Sequence, residues 1–408
     1  MKHKSSFVSV LAIAFLDNFG LSLVFILFAP LILNPQYGFV PSTWSEGAKN
    51  LLLGLLIGAF PLFTFFGAPL WGDIGDRLGR KKAFIYTILG TLFGHLISAF
   101  SIYAENLTFL LLSRIIAGFF SGNISLCMAT VTDLSGTSKK RAHNFGLLTV
   151  SMGLGWISAM LIGGILSDPT ISSYFSPVLP FFIVAALTFM GYLLIQFYFV
   201  ETHPPQKTIH FDLIKSFHDL KEALHIQAIR PFLLILLIWS IGWFFTFQWF
   251  APISLEKYQS SQSLISLYLS LLGICWIIGG LLINSLLVKW FSSKALAFYS
   301  ILFCSLFVFL SGIASQYFFF GLFFWATALA APVSLSNLLN VVSISAPRSI
   351  QGKAMGFTQS IQALAAIIVP LVGGELANLS ISSIFPISAA LLLCSSIYLK
   401  VRGSPGPS

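Results

Sequence analysis

The sequence predicts an all-α membrane protein, with twelve transmembrane helices in two pseudo-symmetric six-helix bundles. Three observations predict it. The 408 residues are 57% hydrophobic and only 9% charged, whereas a soluble domain carries roughly 25% charged residues, so these charges cannot clothe a water-facing surface. Mean hydropathy is +0.90, and the apolar residues fall in runs of the roughly 20 that a bilayer crossing needs. The longest polar stretch divides those runs six and six. This composition excludes nucleic-acid binding and soluble catalysis.

The first run, about 7 to 33, follows Met-Lys-His-Lys and could pass for a signal peptide. It is longer than a signal core of roughly 7 to 15 residues, lacks a small-x-small cleavage site and carries Asp17, so it is read as a span. Runs at about 50 to 71, 84 to 103 and 107 to 133 follow, the last two parted only by Ala104-Glu105-Asn106, and runs at about 143 to 167 and 179 to 200 complete the first six. In the polar stretch Glu201 to Arg230, Phe211, Leu213, Ile214, Phe217, Leu220 and Leu224 recur at helical spacing among charged residues. That describes an amphipathic linker helix on the inner membrane surface. The second six run at about 231 to 255, 263 to 288, 295 to 314, 317 to 342, 354 to 378 and 383 to 400. The expected domains are therefore 1–200, a linker at 201–230, and 231–408.

An even number of spans puts both termini on one side. With the termini cytoplasmic, all 22 Lys and Arg except Lys49, Lys257 and Arg114 fall in cytoplasmic segments, as the positive-inside rule requires. The net charge of +9 is thus an orientation signal and calls for no nucleic acid or acidic partner. A multi-pass protein of a cell membrane, a bacterial inner membrane, is expected, acting as a monomer. Cys127, Cys275, Cys304 and Cys394 lie within spans without CxxC spacing, so they read as core packing and neither disulfide nor metal is indicated.

The halves echo each other. Gly163-Gly164 with Ile171-Ser172-Ser173 recurs as Gly373-Gly374 with Ile381-Ser382-Ser383, and Phe28-Ala29-Pro30 of the first span as Phe250-Ala251-Pro252 of the seventh. Many secondary transporters are built as such a repeat, with substrate near the bilayer midplane between the halves.

After the second span comes Gly72-Asp73-Ile74-Gly75-Asp76-Arg77-Leu78-Gly79-Arg80-Lys81-Lys82. This segment resembles the signature loop of the major facilitator superfamily. Arg114-Ile115-Ile116-Ala117-Gly118 is similar to the fourth-span Arg-x-x-x-Gly of its proton-linked drug antiporters, and Leu16-Asp17-Asn18-Phe19-Gly20 to the opening of the tetracycline/proton antiporters. Gln351-Gly352 with Gly356, Gln359 and Pro370 resembles the same group. One departure is Ala159-Met160, which stands where those antiporters usually carry a Gly-Pro pair and so removes a kink. The resemblance implies the twelve-helix fold and solute transport by alternating access.

Ionisable groups inside spans are functional candidates. Asp17 lies roughly 15 Å into the first span and Arg114 roughly 10 Å from the other face; the resemblance implies that these two spans face each other, so the two are expected to meet, Asp17 coupling protons and Arg114 tuning it. A fixed structural ion pair is the other reading. At the cytoplasmic edge, Asp76 is expected at the N-terminus of the eleventh span and Arg77 or Arg80 beside Asp133. With Gly72 and Gly79 these would form a conformational latch. Glu375 reads as an interfacial group, and His95 as hydrogen-bonded packing, with a proton relay as the alternative.

The candidate cavity residues are Asn18, Asn123, Trp243, Gln248, Asn337, Asn340, Gln359 and Gln362. Amides and aromatics with few charges favour a neutral, zwitterionic or amphipathic small molecule over a polyanion. Such amides also serve as interhelical glue. The chain carries no HExxH, Walker loop or GxSxG, so no enzyme activity, cofactor or metal is expected. The expected function is proton-coupled efflux of a drug or metabolite. The alternatives are uptake of a nutrient or siderophore-like metal chelate, and a receptor that has lost transport.

Overall fold

A computed structural model of the chain describes residues 2–135, 138–203, 225–346 and 351–402. Among these all regular structure is helical. The elements are α1 Lys2–Leu33, α2 Glu46–Leu78, α3 Arg80–Tyr103, α4 Leu107–Phe120, α5 Asn123–Asp133, α6 Ser138–Leu166, α7 Val178–Tyr198, α8 Arg230–Gln248, α9 Phe250–Glu256, α10 Gln262–Ile277, α11 Asn284–Leu287, α12 Ser293–Ile313, α13 Tyr317–Ser345, α14 Gln351–Ser380 and α15 Ile384–Arg402. A π-helical stretch, Ile278–Ile283, joins α10 to α11. The expected amphipathic linker helix lies outside the described residues.

Eleven of the described segments are long and apolar enough to cross a membrane. The last, Gly356–Val401, has 46 residues. At about 1.5 Å per residue that is roughly twice the thickness of a hydrocarbon core, and the 3₁₀ turn Ile381–Ser383 divides it between α14 and α15. Among the described residues this gives twelve segments suited to cross a membrane. Three are composite: α4 with α5, α8 with α9, and α10 with the π stretch and α11.

The contacts cluster into two compact units, Met1–Pro41 with Ala59–Lys215, and Ser42–Gly58 with Ser216–Ser408. In the first, α1 packs on α6 and α7, and α3 on α4 and α7. In the second, α8 packs on α14 and α15, and α12 on α13 and α15. These are the same pairings six crossings later. The repeated glycines have a physical reason within each unit. A Cβ on Gly163 of α6 would meet Leu23 of α1, and one on Gly373 of α14 would meet the Trp249 indole between α8 and α9. In lipid, helices associate by close packing of small residues, and these positions provide it. The Phe-Ala-Pro echo is not structurally equivalent: α1 runs through Pro30, whereas the seventh span is interrupted at Trp249. Exposed Phe93, Phe100, Leu282 and Phe309 stand on faces that only lipid suits. Cys127 and Cys304 are buried as expected, but Cys394 is exposed.

Candidate functional site

The interruption of the fourth span builds the site. α4 ends at Phe120 and α5 restarts at Asn123, with Ser121 and Gly122 between them outside any helix. Backbone groups freed at such a break need partners inside a membrane. Thr64 Oγ1 of α2 donates to the Gly118 carbonyl at 3.1 Å and lies 2.8 Å from Ser121 Oγ, and Trp71 Nε1 donates to the Phe119 carbonyl at 2.8 Å.

The break leaves Asn123 buried at the first turn of α5. Its Nδ2 donates to Asp17 Oδ1 at 2.8 Å, and its Oδ1 accepts from Thr87 Oγ1 at 2.6 Å. Asp17, Asn123, Thr91 and His95 line one small pocket with Ile13, Leu16, Ile88 and Thr188. Ile13 and Ile88 also belong to a buried apolar cluster with Val10, Phe84, Leu126 and Val131. On that side the pocket therefore has a close-packed apolar wall. Among the described residues, no group of His, Cys, Asp and Glu could hold a metal ion.

The expected meeting of Asp17 and Arg114 does not occur. Ion pairs join Lys49 to Glu46, and Arg80 to Asp76 and to Asp133, and none joins Asp17 to Arg114. Asn123 holds Asp17, and Arg114 lies about 13 Å back along the fourth span, beyond the break. Its guanidinium is 4.7 Å from the Phe60 ring centre and 5.6 Å from that of Phe28. The side chain is buried, with Nε and Nη1 lacking hydrogen-bond partners. Aromatic faces stabilise a desolvated cation by about 2 kcal/mol, which the sequence spacing did not reveal. His95 also departs from expectation: it is buried, but its Nδ1 has no hydrogen-bond partner.

At the loop after α2, Arg80 is the hub. Its Nη2 lies 2.7 Å from Asp76 Oδ1 and its Nε donates to Asp133 Oδ2 at 3.1 Å. Arg80, rather than Arg77, thus meets Asp133. Gly79 has φ +95°, a backbone region that only glycine adopts readily, and a Cβ there would strike the Glu201 carboxylate. Gly72 has open space around it. Glu201 caps α3, accepting from the Arg80 and Lys81 amides at 2.9 and 3.1 Å. The sequence reading missed Glu201 in this role, because 121 residues separate it from Arg80.

The other cavity candidates are dispersed. Asn18 donates to the Ala14 carbonyl at 3.0 Å in its own helix. Trp243 is buried in an aromatic ladder, stacked on Trp239 and Phe247 and tilted against Trp276 at 5.0 Å. Gln248 is buried at the end of α8, its Oε1 without a partner. Asn337 donates to Asn284 Oδ1 and Asn340 to Ser293 Oγ, both at 2.7 Å, which ties α13 to its neighbours. Gln359 is exposed, and Gln362 donates to the Thr358 carbonyl at 3.2 Å.

Residues 10–370 match the sequence profile of the Major Facilitator Superfamily. The chain is 30% identical over 198 residues to the class B tetracycline resistance protein of Escherichia coli, a match covering 48% of this chain and 45% of that one. That match therefore spans less than half of the relative. With the class D tetracycline resistance protein of Salmonella ordonez the identity is 25% over 376 residues, covering 89% of this chain and 87% of the relative. The fold is similar to that of a D-xylose-proton symporter, with a TM-score of 0.77 at 16% identity, covering 98% of this chain and 97% of the other.

Proposed function

As the chain belongs to the Major Facilitator Superfamily, we propose that it is a proton-coupled exporter of a drug-like compound or metabolite, in which Asp17 carries the coupling proton. The protein is a multi-pass membrane transporter and not an enzyme. Asp17 is an acidic residue inside a span, bonded by an amide rather than a cation, in a pocket that Ile13, Leu16 and Ile88 share with the uncharged polar groups of Thr91, Asn123 and Thr188. A carboxylate fixed by a salt bridge is a poor proton exchanger, whereas one held by a neutral amide can accept a proton without breaking an ion pair.

Export is favoured by similarity to tetracycline resistance proteins. The working halves are residues 1–200 and 231–408, with 201–230 as linker. The termini face the cytoplasm of a bacterium, the protein acts as a monomer, and access alternates across the membrane. The group formed by Asp76, Arg80, Asp133 and Glu201 serves as a latch for one state. Substrate is neutral, zwitterionic or amphipathic, in keeping with the amides and stacked aromatics of the cavity candidates.

Uptake is the second reading, since a D-xylose-proton symporter shares the fold and α6 runs unbroken past Ala159 and Met160. Proteoliposomes separate the two. Antiport concentrates solute in acid-inside vesicles, and symport does so in acid-outside vesicles. Tetracycline is the first probe, followed by a panel of drugs, sugars and metal chelates. Accumulation only in acid-outside vesicles contradicts export.

A further inference from the structure

We propose that His95 is a second proton-handling residue of the coupling site, exchanging a proton with Asp17 through a water held in the pocket they share. The proposal rests on the reading of Asp17 given above. The pocket has room for about one water molecule. Asp17, Asn123, Thr91, Thr188 and His95 offer that water the polar partners it needs. The imidazole is 6% exposed and its Nδ1 has no hydrogen-bond partner. A buried polar atom left so costs about 1–3 kcal/mol, and packing alone gives no return for it.

α1 is shaped to admit the ring. Gly20 lies one turn beyond Asp17, on the same face of α1, and a Cβ there would sit 2.7 Å from the imidazole Cε1 and Nε2. The charged groups near His95 are Asp17 of α1, which lines the same pocket, and Arg114 of α4. From α7, Thr188 lines the same pocket, and the Cys127 thiol of α5 is directed to the Val10 carbonyl. As Asp17 releases its proton, the carboxyl O–H bond breaks to the water. The water in turn forms an N–H bond at the imidazole, leaving a carboxylate and an imidazolium.

The test is an infrared titration of the full-length protein in liposomes, with the Asp17 carboxyl band assigned by its loss in Asp17→Asn. Coupled groups titrate in two steps that belong to the pair. The wild type should show both. His95→Gln, which keeps hydrogen-bonding capacity but does not titrate, should show one step displaced by about one pH unit or more. Gly20→Ala, which displaces the ring without removing it, should also disturb the second step, and keeps the test usable if His95→Gln fails to fold. Identical titrations in wild type, His95→Gln and Gly20→Ala overturn the role of His95 alone. A band that survives Asp17→Asn, with no other band lost, overturns the Asp17 reading and this one together.

Discussion

At the scale of single residues, burial decides which contacts matter. Arg80 meets two carboxylates, but the Asp133 side chain is 19% exposed and that of Asp76 is 55% exposed. Exposed ion pairs contribute about 0–1 kcal/mol, whereas breaking a buried one costs about 3–5 kcal/mol. Asp133→Asn is therefore expected to lower stability by about 1–3 kcal/mol and Asp76→Asn by less than about 1 kcal/mol. Denaturant unfolding in detergent measures both, and equal losses would contradict this ordering. Asn123→Leu leaves Asp17 without its bonded partner. A hydrogen bond to a charged group contributes about 1.5–3 kcal/mol, so proton-driven flux should drop about tenfold or more; an unchanged rate would show that Asn123 does not position Asp17. Asp17, Arg80 and Asp133 were legible in the sequence because charges are scarce in an apolar chain. The separation of Asp17 from Arg114 was not, because a depth counted along each span fixes neither the offset between two spans nor which of their residues face each other. Nor was the role of Glu201 in capping α3, a contact made only by folding.

At the scale of elements, capping and interruption shape the function. Glu201 satisfies two of the amide donors at the start of α3. Removing a cap costs about 1 kcal/mol, so Glu201→Ala should speed hydrogen exchange at the Arg80 and Lys81 amides while leaving the middle of α3 protected. Uniform change along α3 would show global rather than local loosening. In the second unit the end of α12 is closed from the loop after α9: Lys257 Nζ donates to the carbonyls of Gly312 and Ala314 at 3.1 and 3.0 Å, and the Tyr258 hydroxyl to that of Ala314 at 2.7 Å. Burial pushes the Tyr258 hydroxyl from 10.0 up to about 12. A raised folded value means that the stabilisation is complete below pH 10.0 and lost as pH rises through about 12. The melting temperature of the wild type should therefore converge on that of Tyr258→Phe across this window, and a constant difference contradicts the assignment. The spans themselves were legible because twenty apolar residues leave few alternatives in lipid. The breaks in the fourth and seventh spans and the π stretch at Ile278–Ile283 were not, since Gly and Pro occur throughout these helices without breaking them: α1 runs through Pro30 and α13 through Pro332.

At the scale of the whole molecule, the pairing of α1 with α6 and of α8 with α14 gives the short Gly-Gly echo its meaning. Glycine recurs where the fifth and eleventh crossings pack on the first and seventh. The fold, its membrane setting and its family were thus readable from hydropathy, cation placement and one loop. Substrate and direction were not, because the candidate amides Asn18, Asn337 and Asn340 are engaged in bonds within or between helices that say nothing about a solute. The central claim is that a proton on Asp17 drives transport. Its most direct measurement compares the wild type with Asp17→Asn in acid-inside proteoliposomes, for the first solute of the panel that the wild type accumulates. The account predicts that the wild type concentrates the solute and that Asp17→Asn only equilibrates it; accumulation by Asp17→Asn at the wild-type level would contradict the account.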